Sequence, residues 1–408
     1  MHADSGDVSA ATHDAIARVF REEAGQLTAA LVRTLGDFDE AEDLVQDALL
    51  AGLEHWPSAG VPAKPGAWLM TVARRRAIDR WRRRAHYQDL LRQLPVDPGG
   101  EPGEPDDRLR LIFTCCHPSL AREAQLALTL RAVLGLTTAE VARAFLSTEA
   151  TIAQRIVRAK RKIVEARIPY RVPEPGELAG RLDEVLRVLY LLFNEGYLAT
   201  GGTVAFRRDL TEDAEWLTAL LARLLPDQPE VVGLLVLIRL HRARDRARMG
   251  PEGRLVLLQH QNRSLWDRAA ISAAAALLER ASRASRPGPY QVQAAIVACH
   301  AEAPSWDETD WPQILALYDV LLRFDRSPIV ALNRAIALRY VDGPAAALET
   351  LGRLAGALDR YHLFHATRAE LLRALGRTAE ARDADLRAIE LTANPAERAL
   401  LQERIEGA

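Results

Sequence analysis

Charged side chains of opposite sign are concentrated in two stretches near the start of the 408-residue chain. Residues 37–47 are rich in carboxylates, and residues 73–84 contain seven arginines and one aspartate. The planar guanidinium of arginine matches phosphate oxygens. Trp68 lies before the run and Trp81 lies within it, where they could stack on bases. The run therefore predicts a surface for single-stranded nucleic acid, although a solvated helix face would have a similar composition.

A second pattern is a series of helix stops and starts between residues 126 and 166. The apolar stretch 126–136 ends at a glycine, and Thr137 and Glu140 then have the spacing of a capping box. A short helix follows to Phe145, after which Ser147 or Thr148 can cap a longer helix. Two short helices and a capped third at this spacing predict a helix-turn-helix.

The third helix of this pattern, residues 149–166, has two different faces. Ile152, Ile156 and Ile163 recur at helical spacing and are predicted to face a core. Polar side chains of the N-terminal half suit base edges in a major groove, and the cations beyond them suit phosphates. The predicted DNA-binding residues are Thr151, Gln154, Arg155, Arg158, Lys160, Arg161 and Lys162. An ordinary amphipathic helix would explain the faces but not the capped three-helix spacing.

Cysteine and histidine occur together at Cys115-Cys116-His117 and at Cys299-His300. The spacing is wrong for a zinc finger, because adjacent helical residues point in different directions. A packing role is favoured over a metal or redox role, since buried free cysteine behaves as a small hydrophobe. With no phosphate-binding loop or catalytic motif in view, we expect neither a metal, a cofactor nor an enzymatic activity.

Composition and periodicity predict an all-α chain of several domains. Apolar residues make up 49% of the sequence and recur at helical spacing, while period-two alternation is nearly absent. The net charge of −2 decides nothing about a polyanionic partner. The N-terminus lacks the basic and apolar regions of a signal peptide, and no apolar run is long enough for a bilayer. We therefore expect a cytoplasmic protein without membrane contact.

Clusters of proline, glycine and acidic residues mark the breaks between parts of the chain. They lie at residues 94–107, 168–176 and 286–289. The resulting prediction is a DNA-facing part at 12–90, a flexible acidic linker at 91–105, a helix-turn-helix at 106–168, a helical extension at 180–285, and repeats at 290–408.

The charged motifs resemble those of extracytoplasmic-function sigma factors of the sigma-70 family. Residues 39–47 (DEAEDLVQD) resemble the segment that grips the clamp coiled coil of RNA polymerase. Residues 65–74 (PGAWLMTVAR) and 77–80 (AIDR) resemble the segment that opens the −10 element, in the same order. The resemblance implies a region 2 helical bundle followed by a region 4 helix-turn-helix that reads the −35 element and contacts the polymerase flap.

The resemblance also implies roles for individual residues. The acidic helix would bind core polymerase, the loop from Trp56 to Gly66 would receive an extruded base, and the arginine helix would hold phosphates. The implied polymerase-binding residues are Asp39, Glu42, Asp43, Gln46 and Asp47. The implied −10 residues are Trp56, Trp68, Arg74, Arg75, Arg76, Arg80, Trp81, Arg82, Arg83 and Arg84.

The C-terminal half resembles tetratricopeptide repeats, most clearly at residues 375–381 and 388–395. The chain as a whole resembles a sigma subgroup with such an extension, and residues 189–197 and 263–267 (RSLWD) are similar to its signatures. The resemblance implies an α-solenoid that controls activity, with a concave surface for a protein partner. A stabilising lid on the other domains is the alternative.

Two other functions are compatible with parts of the pattern. A conventional regulator would use the helix-turn-helix without core polymerase, but it would leave the acidic helix without a role. A tetratricopeptide scaffold would bind peptides and show no salt-dependent affinity for DNA. Promoter-directed binding to polymerase accounts for more of the motifs than either alternative.

Overall fold

The computed structural model describes residues 19, 23–82, 106–145, 147–197, 208–250, 254–392 and 394–406. These residues form helices joined by short turns, and the described ranges contain no β-strand beyond an isolated bridge between Met249 and Leu255. The predicted all-α fold is confirmed. None of the described helices is long and apolar enough to cross a membrane. The predicted linker 91–105 lies outside the described residues.

The helices fall into two compact units, Met1–Val188 and Leu189–Ala408. The first unit begins with a helix described over residues 23–35 (α1). The helices that follow it are α2 (Phe38–Ala59), α3 (Pro65–Arg82), α4 (Asp107–Cys115), α5 (Arg122–Ala132), α6 (Thr138–Ala144), α7 (Glu149–Glu165) and α8 (Pro175–Tyr197), within which the unit boundary falls.

The second unit contains the remaining helices, many of which begin with proline. Proline suits this position because its missing N–H has no partner in the first helical turn. The helices are α9 (Arg208–Leu224), α10 (Pro229–Arg242), α11 (Asp245–Arg248), α12 (Arg268–Ser282), α13 (Pro289–Glu302), α14 (Trp311–Phe324), α15 (Pro328–Val341), α16 (Gly343–Gly352), α17 (Ala355–Leu358), α18 (His362–Ala374), α19 (Thr378–Leu391) and α20 (Pro395–Glu406).

In the first unit, helix α1 packs closely against the end of α5, which lies beyond the predicted linker. A Cβ atom added to Gly25 of α1 would lie 2.2 Å from the carbonyl oxygen of Val133, at the end of α5. Gly135, which has a φ of +71°, approaches Ala24 so closely that its added Cβ would lie 2.7 Å from that methyl group. The residues before and after the predicted linker therefore pack against each other.

Polar contacts strengthen the same junction. The hydroxyl of Tyr170 donates a hydrogen bond to the carbonyl of Ala29 at 2.8 Å. The guanidinium of Arg33 lies 3.0 Å from the carboxylate of Asp107, which is only 6% exposed. Arg110 also pairs with Asp107, at 2.8 Å. Both ends of the helix-turn-helix segment are thus tied to α1.

Successive helices pack against one another along the second unit. Helix α14 packs on α15, α15 on α16, and α18 on α19. Trp311 and Tyr340 stack with ring centroids 3.9 Å apart, inside an apolar cluster that links α13, α14 and α15. This series of paired helices agrees with the predicted repeats in outline, and their assignment as tetratricopeptide repeats remains a prediction.

Candidate nucleic-acid and protein-binding surfaces

Helix α2 carries the acidic residues on the side opposite its apolar face. The side chain of Asp37 caps the helix by accepting hydrogen bonds from the backbone N–H groups of Asp39 and Glu40, at 2.8 and 3.1 Å. The apolar face is formed by residues 41, 44, 45, 48 and 49, which are all buried. Asp39 and Asp43 are exposed, Gln46 and Asp47 are half-buried, and Glu42 is buried.

Helix α3 carries the arginine run and packs against α2. Arg75 and Arg76 are exposed, and Arg74 is half-buried. Arg80, Trp81 and Arg82 continue the helix, but the structure does not describe the exposure of their side chains. The predicted residues Arg83 and Arg84 lie outside the described residues. The described part of α3 therefore presents cations to solvent about two turns beyond Trp68.

The two tryptophans of this hairpin have different environments. Trp56 is 1% exposed and packs edge-on against Trp68, with ring centroids 5.3 Å apart. Trp68 is half-buried and stacks on His55 at 6.0 Å. Because Trp56 lies in the core, its predicted contact with DNA conflicts with this structure, and its role here is to support Trp68.

The predicted base-receiving loop from Trp56 to Gly66 is wrong at both ends. Helix α2 continues to Ala59, and the N–H of Gly60 then donates to the carbonyl of Trp56 at 2.9 Å. Helix α3 already begins at Pro65. Gly60 has a φ of +80°, which glycine adopts without strain, so the chain turns directly after the helix. The loop is reduced to residues 60–64.

The helix-turn-helix prediction agrees with helices α5, α6 and α7. The Thr137 N–H donates to the Glu140 carboxylate at 2.7 Å, and the Glu140 N–H donates to the Thr137 hydroxyl at 3.2 Å. This reciprocal pair is the predicted capping box. Of the two candidate caps for α7, Thr148 is the one that accepts from the N–H of Thr151, at 3.2 Å.

Helix α7 has the two faces predicted from the sequence. Ile152, Ile156 and Ile163 are buried, and α7 packs on α5 and α6. On the other face, the predicted DNA-binding residues are mostly open to solvent. Gln154, Arg158, Arg161 and Lys162 are exposed, while Thr151, Arg155 and Lys160 are half-buried.

Lys160 and Arg131 connect the helix-turn-helix to the acidic helix. The ammonium of Lys160 lies 2.6 Å from Oδ1 of Asp39 and 3.3 Å from Oε2 of Glu42. The guanidinium of Arg131 lies 3.2 Å from the same Glu42 oxygen. Two of the carboxylates predicted to bind polymerase are therefore paired within this chain. Arg131 was not predicted from the sequence, because it belongs to no recognisable motif and its partner Glu42 is distant along the chain.

The adjacent cysteines lie in the core beside this junction. Cys115 and Cys116 are 0% and 1% exposed, and the sulfur of Cys116 lies 3.5 Å from the hydroxyl of Thr129. Burial raises the pKa of Cys116 to about 12, so its thiol stays protonated at neutral pH. These environments agree with the predicted packing role.

Comparison with known proteins identifies three segments of the chain. Residues 19–87 match Sigma-70 region 2, and residues 110–163 match Sigma-70, region 4. Residues 181–282 match a family of unknown function, DUF6596. The ECF RNA polymerase sigma factor SigL of Mycobacterium tuberculosis is 30% identical over 154 residues, covering 36% of this chain and 86% of SigL.

The chain belongs to the extracytoplasmic-function family of RNA polymerase sigma factors. Sigma factors of this family bind core RNA polymerase and promoter DNA. Region 2 contains α2 and α3, and region 4 contains the helix-turn-helix, so both sets of predicted side chains lie in the segments that define the family.

Other relatives differ in how much of this sigma factor they share. A probable ECF sigma factor, SigI of Mycobacterium tuberculosis, is 29% identical over 175 residues, which cover 40% of this chain and 59% of SigI. An uncharacterized protein of Rhizobium meliloti (strain 1021) is 42% identical over 393 residues and covers 93% of both chains. The likeness to the Rhizobium protein therefore includes the C-terminal extension.

Proposed function

We propose that this sigma factor directs core RNA polymerase to promoters by reading −35 DNA with α7 and opening −10 DNA with α3. The observation that carries the proposal is the division of α7 into a buried isoleucine face and a polar face. Gln154 and Arg158 are exposed in the half of the helix that follows the Thr148 cap. Such side chains can donate to base edges in the major groove, while Arg161 and Lys162 pair with phosphates.

The proposed −10 surface consists of exposed cations and one accessible tryptophan ring. Arg75 and Arg76 are exposed, and in this proposal they hold phosphates of the separated strand. Trp68 offers part of its ring for stacking on a base, and the buried Trp56 fixes its position from below. The turn at 60–64 lies next to Trp68 along the chain and is our candidate for receiving an extruded base.

The proposed polymerase-binding surface is the acidic side of α2. Asp43 is exposed there, and Gln46 and Asp47 lie about one turn further along. Asp39 is already exposed beside Lys160, whereas Glu42 joins this surface only when its pairs with Lys160 and Arg131 are released. Lys160 likewise becomes available to −35 phosphates only after that release.

A run-off transcription assay with bacterial core polymerase on genomic fragments tests the proposal. Asp43→Ala is expected to weaken core binding, and Arg158→Ala is expected to reduce transcription from promoters that the wild type selects. The matched controls are Glu54→Ala, an exposed acid near the other end of α2, and Arg187→Ala, an exposed arginine of α8.

The variants also separate the alternative functions. Specific duplex binding that needs no polymerase and is insensitive to Asp43→Ala would favour a conventional helix-turn-helix regulator. Tight peptide binding with no salt-dependent affinity for DNA would favour a scaffold. Transcripts lost equally in the variants and in their controls would contradict the assigned surfaces.

We further propose that the C-terminal extension modulates this activity, with a protein partner on the repeats. A chain ending at Val188 tests it, because that cut keeps the hydrogen bond from Arg181 to the Phe113 carbonyl, at 2.6 Å, and the ion pair between Arg122 and Glu184. Increased transcription would make the extension an inhibitor, and lost transcription from a folded fragment would make it an activator. Unchanged transcription and stability would contradict both modulation and the alternative stabilising lid.

A further inference from the structure

The motif RSLWD, residues 263–267, forms a rigid connection that places Trp266 in the core of the second unit. The side chain of Asn262 accepts from the N–H of Ser264 at 3.0 Å, and that of Asp267 accepts from the N–H of Ala270 at 2.9 Å. The N–H of Asp267 also donates to the carbonyl of Ala243 at 2.9 Å. Trp266 is consequently 4% exposed, although it lies in an irregular segment.

Three arginines surround this one indole. The guanidinium carbon lies 4.4 Å from the ring centroid for Arg263, 5.6 Å for Arg268 and 5.8 Å for Arg244. Among the described residues, no carboxylate oxygen lies within 4.0 Å of any of the three. Arg244 is buried, Arg263 is half-buried and Arg268 is exposed, so the cluster extends from the core to the surface without a close counter-ion.

The hydrogen bonds of these arginines go to neutral groups. Arg263 donates to the carbonyls of His300 and Ala303, at 2.7 and 2.6 Å, and Arg268 donates to that of Ala301, at 3.0 Å. These carbonyls lie at the C-terminal end of α13, where cations interact favourably with the helix dipole. Capping of α13 therefore explains part of the cluster.

Capping leaves several buried donors in this cluster without an acceptor. Within the described part of the chain, Nε of Arg244, Nη2 of Arg263 and Nε1 of Trp266 are buried donors with no hydrogen-bond partner. Nδ1 of His300 is also buried without a partner, and it donates in one of the two neutral tautomers. Arg244 and Trp266 are both more than nine-tenths buried. Native proteins rarely leave buried donors unsatisfied, so these atoms can take an acceptor from outside the chain.

The electrostatics of the cluster favour the same kind of group. Burial lowers the pKa of Arg263, and the charges of Arg268 and Arg244 lower it further, against an opposing effect of Glu308. Burial followed by the charges of Arg244 and Arg263 lowers the pKa of His300 to about 4, so its ring is neutral at pH 7. A bound anion would offset the repulsion between the arginines and would accept hydrogen bonds from them.

We propose that Arg244, Arg263 and Arg268, together with Trp266 and His300, bind the phosphate or carboxylate group of a small ligand. The site lies within the second unit and partly within the segment that matches the family of unknown function. Arg268 is exposed, which leaves the cluster open to solvent on that side. The proposal goes beyond promoter recognition and does not depend on it.

Calorimetric titration of the full-length protein with inorganic phosphate at pH 7 tests the site. The buffer is a cationic amine with chloride as its only anion. We expect saturable binding that weakens about tenfold in Arg268→Gln and also weakens in Trp266→Phe, which keeps an aromatic side chain but removes the indole N–H. Arg246→Gln is the matched control, because it removes an exposed arginine from the neighbouring turn and should change the affinity less than twofold.

Competing probes identify the source of the anionic group. Tighter binding of glycerol 2-phosphate than of inorganic phosphate would assign an organic phosphate, and stronger competition by acetate would assign a carboxylate. Absence of saturable binding for all three probes would overturn the proposal. Equal loss of phosphate binding in Arg246→Gln and Arg268→Gln would also overturn it, since the anion would then be held adventitiously by general surface charge.

Discussion

The ammonium nitrogen of Lys160 lies 2.6 Å from Oδ1 of Asp39. This contact joins the helix that we propose reads −35 DNA to the helix that we propose binds polymerase. Glu42 completes the junction, because it lies between Lys160 and Arg131 and its side chain is only 11% exposed. The sigma factor in this structure therefore holds regions 2 and 4 together through side chains that are candidates for binding its partners.

Glu42 should contribute more to the stability of the first unit than Asp39. Glu42→Ala leaves two partly buried cations without their shared carboxylate, and we expect a loss of about 2 kcal/mol. Asp39 is 78% exposed, so Asp39→Ala should cost less than about 0.5 kcal/mol. Hydrogen exchange of α7 amides in both variants measures the difference. Similar protection of the α7 amides in the two variants would show that the ion pairs of Glu42 do not hold region 4 in place.

The packing of α1 should be sensitive to a single methyl group. Gly25→Ala places a Cβ against the carbonyl oxygen of Val133, which is backbone and cannot move aside, so we expect a loss of about 1–3 kcal/mol. Gly180→Ala is the control, since its added Cβ meets nothing within 4 Å and alanine favours the helix. Urea denaturation compares the two variants, and a neutral Gly25→Ala would contradict the close approach.

The cap of α7 should affect DNA binding without removing a DNA-contacting side chain. Thr148→Ala removes the acceptor for the Thr151 N–H and should destabilise the start of α7 by about 1 kcal/mol. Weaker −35 duplex binding in a gel-shift assay should follow, because Gln154 lies less than two turns away. Thr148→Ser keeps the hydroxyl and should bind like the wild type. If Thr148→Ala bound the −35 duplex as tightly as the wild type, the helix cap would not contribute to DNA recognition.

The three cysteines should differ in reactivity. Burial raises the pKa of Cys116 to about 12 and that of the half-buried Cys299 to about 11, and Cys115 is fully buried. Because the thiolate is the reactive form, a disulfide reagent at pH 8 should label Cys299 slowly and the adjacent pair only after unfolding. Cys299→Ser should therefore abolish labelling of the native protein. Rapid labelling of that variant would contradict the buried core.

The second unit should lose stability as the pH falls below about 6.5. Burial and the nearby charges of Arg244 and Arg263 lower the pKa of His300 to about 4, while the unfolded chain has an ordinary pKa near 6.5. The unfolded state therefore binds more protons between these values, so stability is complete above pH 6.5 and declines towards pH 4. Thermal midpoints should decline less with falling pH in His300→Gln than in the control, His260→Gln, which alters an exposed histidine.

Local pattern predicted the helices and their caps with good accuracy. The capping box at Thr137 and Glu140, the cap at Thr148 and the buried isoleucines of α7 all depend on residues within a few positions of one another. The boundaries of the region 2 turn were predicted wrongly, because α2 continues through Pro57 and makes Trp56 a core residue. Trp56 packs there against Trp68, a contact between two helices that sequence spacing does not reveal.

The sequence by itself determined the helical class and the two sigma regions, because periodicity, capping and family motifs are local properties. Only the tertiary structure decided that Lys160 and Arg131 pair with Asp39 and Glu42, that Gly25 packs on Val133, and that three arginines converge on Trp266. These contacts join residues far apart in the chain. They arise from shape and charge complementarity between folded helices, which no linear spacing encodes.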